Sequence, residues 1–172
     1  FVGPPLKDMM MSYGGLDEQQ AEQAVCYYRE RYHEKGMFEN RPYPHIEEML
    51  ARLREEGYRL AVASSKPTYY VNQILEYFGL AQYFEVVVGS EMDGSRVRKA
   101  EVIEEALRRL GLENHRDKAV MVGDKEHDIF GARQQGLDCV AVAYGYGSRG
   151  ELENASPLAI VGTVEELENF FG

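Results

Sequence analysis

From Ile46 onward, short apolar runs alternate with segments whose apolar residues recur every three or four positions. The runs Tyr58–Ala63, Phe84–Val88, Ala119–Val122, Asp138–Ala143 and Leu158–Val161 predict strands. Between them, Ile46–Glu56, Tyr69–Phe78, Lys99–Leu110 and Ile129–Gln135 predict amphipathic helices. In the third of these, Val102, Ile103, Ala106, Leu107 and Leu110 share one face. Gly57, Gly79 and Gly136 stand where helices stop. Thr163-Val-Glu-Glu166 has the form of a capping box opening a last helix that runs to Phe171. Apolar strands alternating with such helices predict an α/β fold, a parallel sheet covered on both faces.

The first forty-odd residues differ, because they are helical in pattern with no strand. Gly3-Pro4-Pro5 predicts a turn, followed by a short apolar stretch. Leu16–Lys35 predicts a helix in which Leu16, Ala21, Ala24, Val25, Tyr28 and Tyr32 recur at helical spacing. The segment from Met37 to Pro44 holds two prolines and reads as a connector. The expected division is a helical segment over residues 1–42 and an α/β core over 43–172.

The chain has 172 residues and a formal net charge of −10. That balance excludes nucleic acid and a membrane surface as partners, since both ask for a basic face. A small phosphorylated metabolite stays allowed, because it needs only one local cation or metal. No apolar run reaches membrane-spanning length and no signal pattern opens the chain. Cys26 and Cys139 each sit in an apolar pattern and are expected as buried, reduced thiols, so the expected location is cytoplasmic.

The candidate chemistry gathers just after the strands, where open α/β sheets hold their ligands. The run Ala119–Val122 ends at Gly123 and delivers Asp124 and Asp128 at the start of a helix. Two carboxylates there suit a hard cation such as Mg²⁺; helix capping would use the same residues. Ser64 and Ser65 follow the first run, in a stretch that reads as a loop before a helix. They suit an anion, or equally a turn and cap. Lys99 opens a helix, the unfavourable end of the dipole for a cation. It makes sense there if it faces anions, and otherwise it is a solvated lysine. Gly145-Tyr-Gly147-Ser-Arg-Gly150 fits a dinucleotide-loop pattern, but that motif needs a full βαβ unit and an acidic residue roughly twenty positions on, and the chain is ending here, so the expectation is small residues in a strand-to-helix loop.

Taken together, Val-Ala-Ser64-Ser65-Lys66-Pro67, Lys99-Ala-Glu-Val-Ile and Val-Gly123-Asp124-Lys-Glu-His-Asp128 resemble motifs two, three and four of the haloacid dehalogenase superfamily. The wording Phe1-Val-Gly-Pro-Pro-Leu, Tyr43-Pro44 and Tyr144-Gly-Tyr-Gly-Ser148 is similar to its phosphoglycolate phosphatase branch. The resemblance implies a Rossmann-like three-layer core with a small helical cap that closes over the substrate. It also implies Mg²⁺-dependent hydrolysis of phosphate monoesters, phosphoglycolate-like or nucleotide-like, through an aspartyl-phosphate. By that resemblance Ser64 and Ser65 bind phosphate oxygens and Lys99 neutralises the nucleophile and phosphoryl charge. Asp124 ligates Mg²⁺, and Asp128 ligates it or holds one of its waters. Substrate contacts would arise near Gly3–Lys7 and Arg41.

One departure bears on activity. The superfamily's first motif, Asp-x-Asp-x-Thr or Ser, supplies the nucleophile and the acid/base. The aspartates here are Asp8, Asp17, Asp93, Asp117, Asp124, Asp128 and Asp138, and no two are separated by a single residue. The expectation is that this motif and its strand, central in the sheet, lie upstream of Phe1. The chain as it stands is then expected not to catalyse the reaction. The alternatives are a non-catalytic phosphate- and metal-binding protein and a phosphomutase of the same superfamily. A phospho-acceptor receiver domain would need a mid-chain acceptor Asp and no cap, and neither fits.

Overall fold

The computed structural model describes residues 6–172, so the turn expected at Gly3-Pro4-Pro5 lies outside the described residues. The chain divides into two compact units, residues 1–41 and 42–172. In the first, α1 (Leu6–Ser12) and α2 (Glu18–Glu34) contact each other. Asp17 starts α2: its Oδ1 accepts the Gln20 N–H at 2.8 Å, and Gln20 Oε1 accepts the Asp17 N–H at 3.1 Å. Ala21 and Val25 are buried, as the helical spacing predicts. Cys26 is exposed, correcting the expectation. One position past Val25 means a rotation of about 100° around a helix, which carries the thiol off the buried stripe. The apolar stretch before Met11 is helix α1, whose Met9 is buried.

The second unit begins with α3 (Ile46–Glu55), β1 (Ala61–Pro67), α4 (Thr68–Tyr77) and β2 (Val86–Ser90). It continues with α5 (Lys99–Leu110), β3 (Val120–Gly123), α6 (Glu126–Gln134) and β4 (Asp138–Val142). The end is α7 (Arg149–Ala155), β5 (Ala159–Val161) and α8 (Val164–Phe171). Every strand pair is parallel: β1 with β2, and β3 with β4 with β5. The pairs form two sheets, β1–β2 and β3–β4–β5, and β1 and β3 do not pair with each other.

Strand β4 shows why the architecture has three layers. Its side chains alternate, Cys139 and Ala141 to one face and Val140 and Val142 to the other. The first pair packs with Ile103 and Leu107 of α5, Ile129 and Ala132 of α6, and Leu152 of α7. The second packs with Met49, Leu50 and Leu53 of α3 and Val164 and Leu167 of α8. Each fully buried aliphatic side chain contributes about 1.5–3 kcal/mol.

The path of β1 and the opening of α8 differ from expectation in informative ways. Strand β1 starts at Ala61, after a Gly57 turn at φ 92°, and runs through Ser64, Ser65 and Lys66 to Pro67. Its pairing slips: Ala63 faces Val88 and Pro67 faces Ser90, so extra residues bulge opposite Gly89. A Cβ on Gly89 would collide with the Lys66 carbonyl and the Thr68 amide, so only glycine admits this approach. At α8 the capping box is half made. Thr163 Oγ1 accepts the Glu166 N–H at 3.1 Å, while Glu166 reaches past Thr163 to the Gly162 N–H at 2.6 Å. Among the described residues, no helix is long and apolar enough to cross a membrane.

Candidate active site at the strand ends

The site is built from the turn after β3. Gly123 ends that strand, Asp124 and Lys125 turn the chain, and α6 starts at Glu126. Asp128 sits in the first turn of that helix and is buried. Its Oδ2 accepts the Asp124 and Lys125 N–H groups, each at 3.1 Å. That is helix capping, the structural use of an acidic residue in a first turn. Its Oδ1 does something else: Lys99 Nζ lies 2.9 Å away, the two side chains being only 12% and 9% exposed. One oxygen of this carboxylate thus caps the helix and the other holds a buried cation.

Lys99 opens α5, and the helix manages the misplaced cation. Glu101 covers the Val97 and Arg98 N–H groups at 3.1 and 3.0 Å, so a carboxylate meets the positive helix end. The lysine itself turns to Asp128 and donates to the Ala63 carbonyl of β1 at 2.9 Å. Gly131 permits this, because a Cβ there would fall on the Lys99 stem. Lys99 therefore touches both β1 and the turn after β3, which belong to separate sheets.

Asp124 is half-buried. Its Oδ2 accepts the Tyr146 N–H at 2.7 Å, and its Oδ1 has no hydrogen-bond partner among the described residues. A Cβ on Gly145 would overlap the Asp124 side chain, and one on Gly147 would overlap the Asp124 carbonyl. The glycine-rich loop after β4 is thus shaped to receive Asp124. Tyr43 and Tyr144 meet edge to face at 4.9 Å beside it. Burial, with the nearby charges of Tyr43 and Asp124, pushes the Tyr144 phenol up to about 12. Burial first, and Asp124 second, raises that of Tyr43.

Ser64 is half-buried and Ser65 exposed. Ser64 Oγ accepts the Lys66 N–H at 3.1 Å, a local turn contact, and it directly follows the carbonyl that holds Lys99. Burial draws the Lys66 ammonium below the usual lysine value. The structure thus joins Lys99, Asp124 and Asp128 in one bonded cluster and sets Ser64 next to it in sequence; among the described residues, no hydrogen bond joins Ser65 to the cluster.

Sequence reasoning missed two supports. Glu151 of α7 pairs with Lys125 Nζ at 2.8 Å and accepts the Glu126 N–H at 3.1 Å. Lys125 holds the Glu151 carboxyl below the usual range. The Tyr146 N–H is a backbone group, and only its flanking glycines hinted at a close approach.

The donor set can be tested against Mg²⁺. Such an ion is held by one or two carboxylates with waters and substrate phosphate. Asp124 fits, since it offers a carboxylate oxygen that no described residue occupies. Both Asp128 oxygens are already engaged. Among the described residues, no three His, Cys, Asp or Glu side chains gather as a metal shell.

Comparison with known proteins identifies the family. The family described as haloacid dehalogenase-like hydrolase matches residues 1–142. A 5'-nucleotidase of Pseudomonas aeruginosa is 40% identical over 157 residues, covering 91% of this chain and 70% of that protein. The tyrosine-protein kinase PtkA of Mycobacterium tuberculosis is 39% identical over 173 residues, covering 99% of this chain and 58% of that protein. The crystal structure of a predicted phosphatase from Clostridium acetobutylicum superposes with a TM-score of 0.92 at 46% identity, covering 99% of this chain and 78% of that one.

Proposed function

The chain belongs to the haloacid dehalogenase-like hydrolases, and on that premise we propose that it forms most of a Mg²⁺-dependent phosphatase of small phosphate monoesters. Residues 1–42 are then the helical cap and 43–172 the core. The observation that carries the reading is Lys99, which links β1 to the acidic turn after β3 although those strands do not pair. The apolar Val120 and Val122 of β3 are each 37% exposed. A strand bearing the nucleophilic aspartate fits between β1 and β3, with its carboxylate at the Lys99 ammonium.

The geometry supports the following roles. Lys99 Nζ stabilises negative charge on the attacking carboxylate and the phosphoryl oxygens. On this reading the hydroxyl of Ser64, next in sequence to the carbonyl that receives Lys99, donates to those oxygens. Asp124 Oδ1 would hold Mg²⁺, and Asp128 keeps Lys99 and the Asp124 turn in place. The metal supplies charge neutralisation and orientation of the phosphoryl group. The upstream motif supplies the nucleophile and the acid/base.

In the full-length protein, Asp124→Asn is expected to abolish hydrolysis of p-nitrophenyl phosphate while circular dichroism stays unchanged. Parent-like turnover would remove Asp124 from the mechanism. A second reading has one observation behind it: no Asp-x-Asp occurs within these residues. On that reading the protein binds Mg²⁺ or phosphate, and either raises its melting temperature without turnover. Similarity to a tyrosine-protein kinase makes the phosphoryl acceptor worth assaying, with water against a tyrosine hydroxyl. A sugar bisphosphate tests for phosphomutase isomerisation.

A further inference from the structure

We infer that Glu151 is a positioning residue for the divalent cation, acting on Asp124 through the two residues that follow it; the inference rests on the phosphatase reading. Glu126 opens α6, and its N–H is one of the first-turn donors that no intrahelical carbonyl can satisfy. A helix ordinarily meets such donors with a nearby acceptor side chain. Here the cap position is Lys125, whose side chain has no acceptor, and Asp128 is spent on the Asp124 and Lys125 N–H groups. The missing acceptor comes from 25 residues away, Glu151 Oε1 at 3.1 Å. Its other oxygen, Oε2, holds Lys125 Nζ at 2.8 Å.

Glu151 is itself anchored. The adjacent Leu152 is fully buried, and Ser148 Oγ accepts the Glu151 N–H at 3.2 Å. The same segment supplies the Tyr146 N–H to Asp124. The acidic turn is therefore gripped on its carboxylate by Tyr146 and on its next two residues by Glu151. Mg²⁺ asks for near-ideal octahedral geometry, so loosening the turn disturbs Asp124 Oδ1, the oxygen that would hold it. Supporting partners of metal ligands commonly change affinity by about 10- to 100-fold.

The test is a calorimetric titration of the full-length protein with Mg²⁺, without substrate, together with amide hydrogen exchange of the metal-free protein. Glu151→Ala is expected to raise the Mg²⁺ Kd about 10- to 100-fold and to speed exchange at the Asp124 to Glu126 amides. Glu151→Gln keeps an acceptor for the Glu126 N–H and loses only the Lys125 pair, so it is expected to weaken binding by a smaller factor, about three- to tenfold on the same scale. That variant also carries the test if the alanine variant does not fold. A Kd within about twofold of the parent in a folded Glu151 variant, even with a lowered melting temperature, overturns the inference and leaves a merely structural pair. Asp124→Asn run in parallel separates the two failures. If it abolishes binding while the Glu151 variants bind normally, only the inference fails. If it binds like the parent, the metal site itself fails and takes the inference with it.

Discussion

The buried pair Lys99–Asp128 gives the sharpest test of the site's energetics. The charges lie 2.9 Å apart on side chains 12% and 9% exposed. At an effective dielectric constant of about 20, that separation gives a gross attraction of about 6 kcal/mol. Desolvation offsets most of it, and removing one partner of such a pair costs about 3–5 kcal/mol because the other charge is stranded. The two single variants should differ. Lys99→Met leaves Asp128 Oδ2 with its two N–H donors, so its loss belongs at the lower end. Asp128→Asn leaves the ammonium with only the Ala63 carbonyl among the described residues, so its loss belongs at the upper end. The double variant removes both charges and should recover a coupling energy of about 2 kcal/mol. Urea unfolding at neutral pH, extrapolated linearly for the four proteins, measures all three quantities. Single losses below about 1 kcal/mol, or losses that add to within about 0.5 kcal/mol, would mean that the pair is solvated and that Lys99 is not fixed by Asp128.

Four further outcomes are expected. Gly145→Ala puts a methyl group into the Asp124 side chain, and a displacement near 1 Å costs activity on the order of 100-fold; a parent-like rate of phosphate ester hydrolysis refutes the close-approach argument. Glu105 accepts from Arg108 Nε at 2.8 Å and Arg109 Nε at 2.7 Å, which lower its pKa from 4.5 to about 2. A lowered folded pKa stabilises above the unfolded value and is lost as pH falls from 4.5 towards 2. After solvent screening, Glu105→Gln should cost about 0.5–1 kcal/mol at neutral pH, a gap that should shrink by pH 3 and in high salt when stability is measured there; a constant gap would rule out the ion pairs as its source. Burial pushes the Cys139 thiol up to about 12, so iodoacetamide at pH 8 should label the exposed Cys26 and spare Cys139 in peptide mass mapping, and labelling of both would contradict the packed β4. His45 sits at φ 63°, where an L-residue pays about 1–2 kcal/mol; His45→Gly should raise stability by about 0.5–1 kcal/mol after glycine's entropy loss, and a loss on denaturant unfolding would show that the imidazole contributes more than the strain.

The α/β class was legible because periodicity reports burial, and burial on both faces of a parallel strand leaves an apolar run. Spacing alone puts Val102, Ile103, Ala106, Leu107 and Leu110 on one helix face; the first four are buried and Leu110, in the last turn, is half-buried. Helix α7 was not legible. It has seven residues, mostly polar, and Leu152 and Ala155 are buried by α5, α6 and β4 rather than by any local pattern. The path of β1 through Ser64 and Ser65 was hidden too, since polar residues after an apolar run look like a loop. A slip in pairing opposite Gly89 keeps them in the strand.

What the sequence determined by itself was the order of the strands and of the helices other than α7, the places where chemistry could collect, and the residue types there: Ser64, Lys99, Asp124 and Asp128. Those follow from local rules, in which a run, a stop signal and a polar residue are read within a few positions. Tertiary structure decided which of them meet and by which atom. It gave one Asp128 oxygen to helix capping and the other to Lys99, 29 residues away. It also turned Gly145, Gly147, the Tyr146 N–H and Glu151 into supports for Asp124 and its turn. Such contacts arise from how two segments approach in space, and residue spacing along the chain carries no record of that distance.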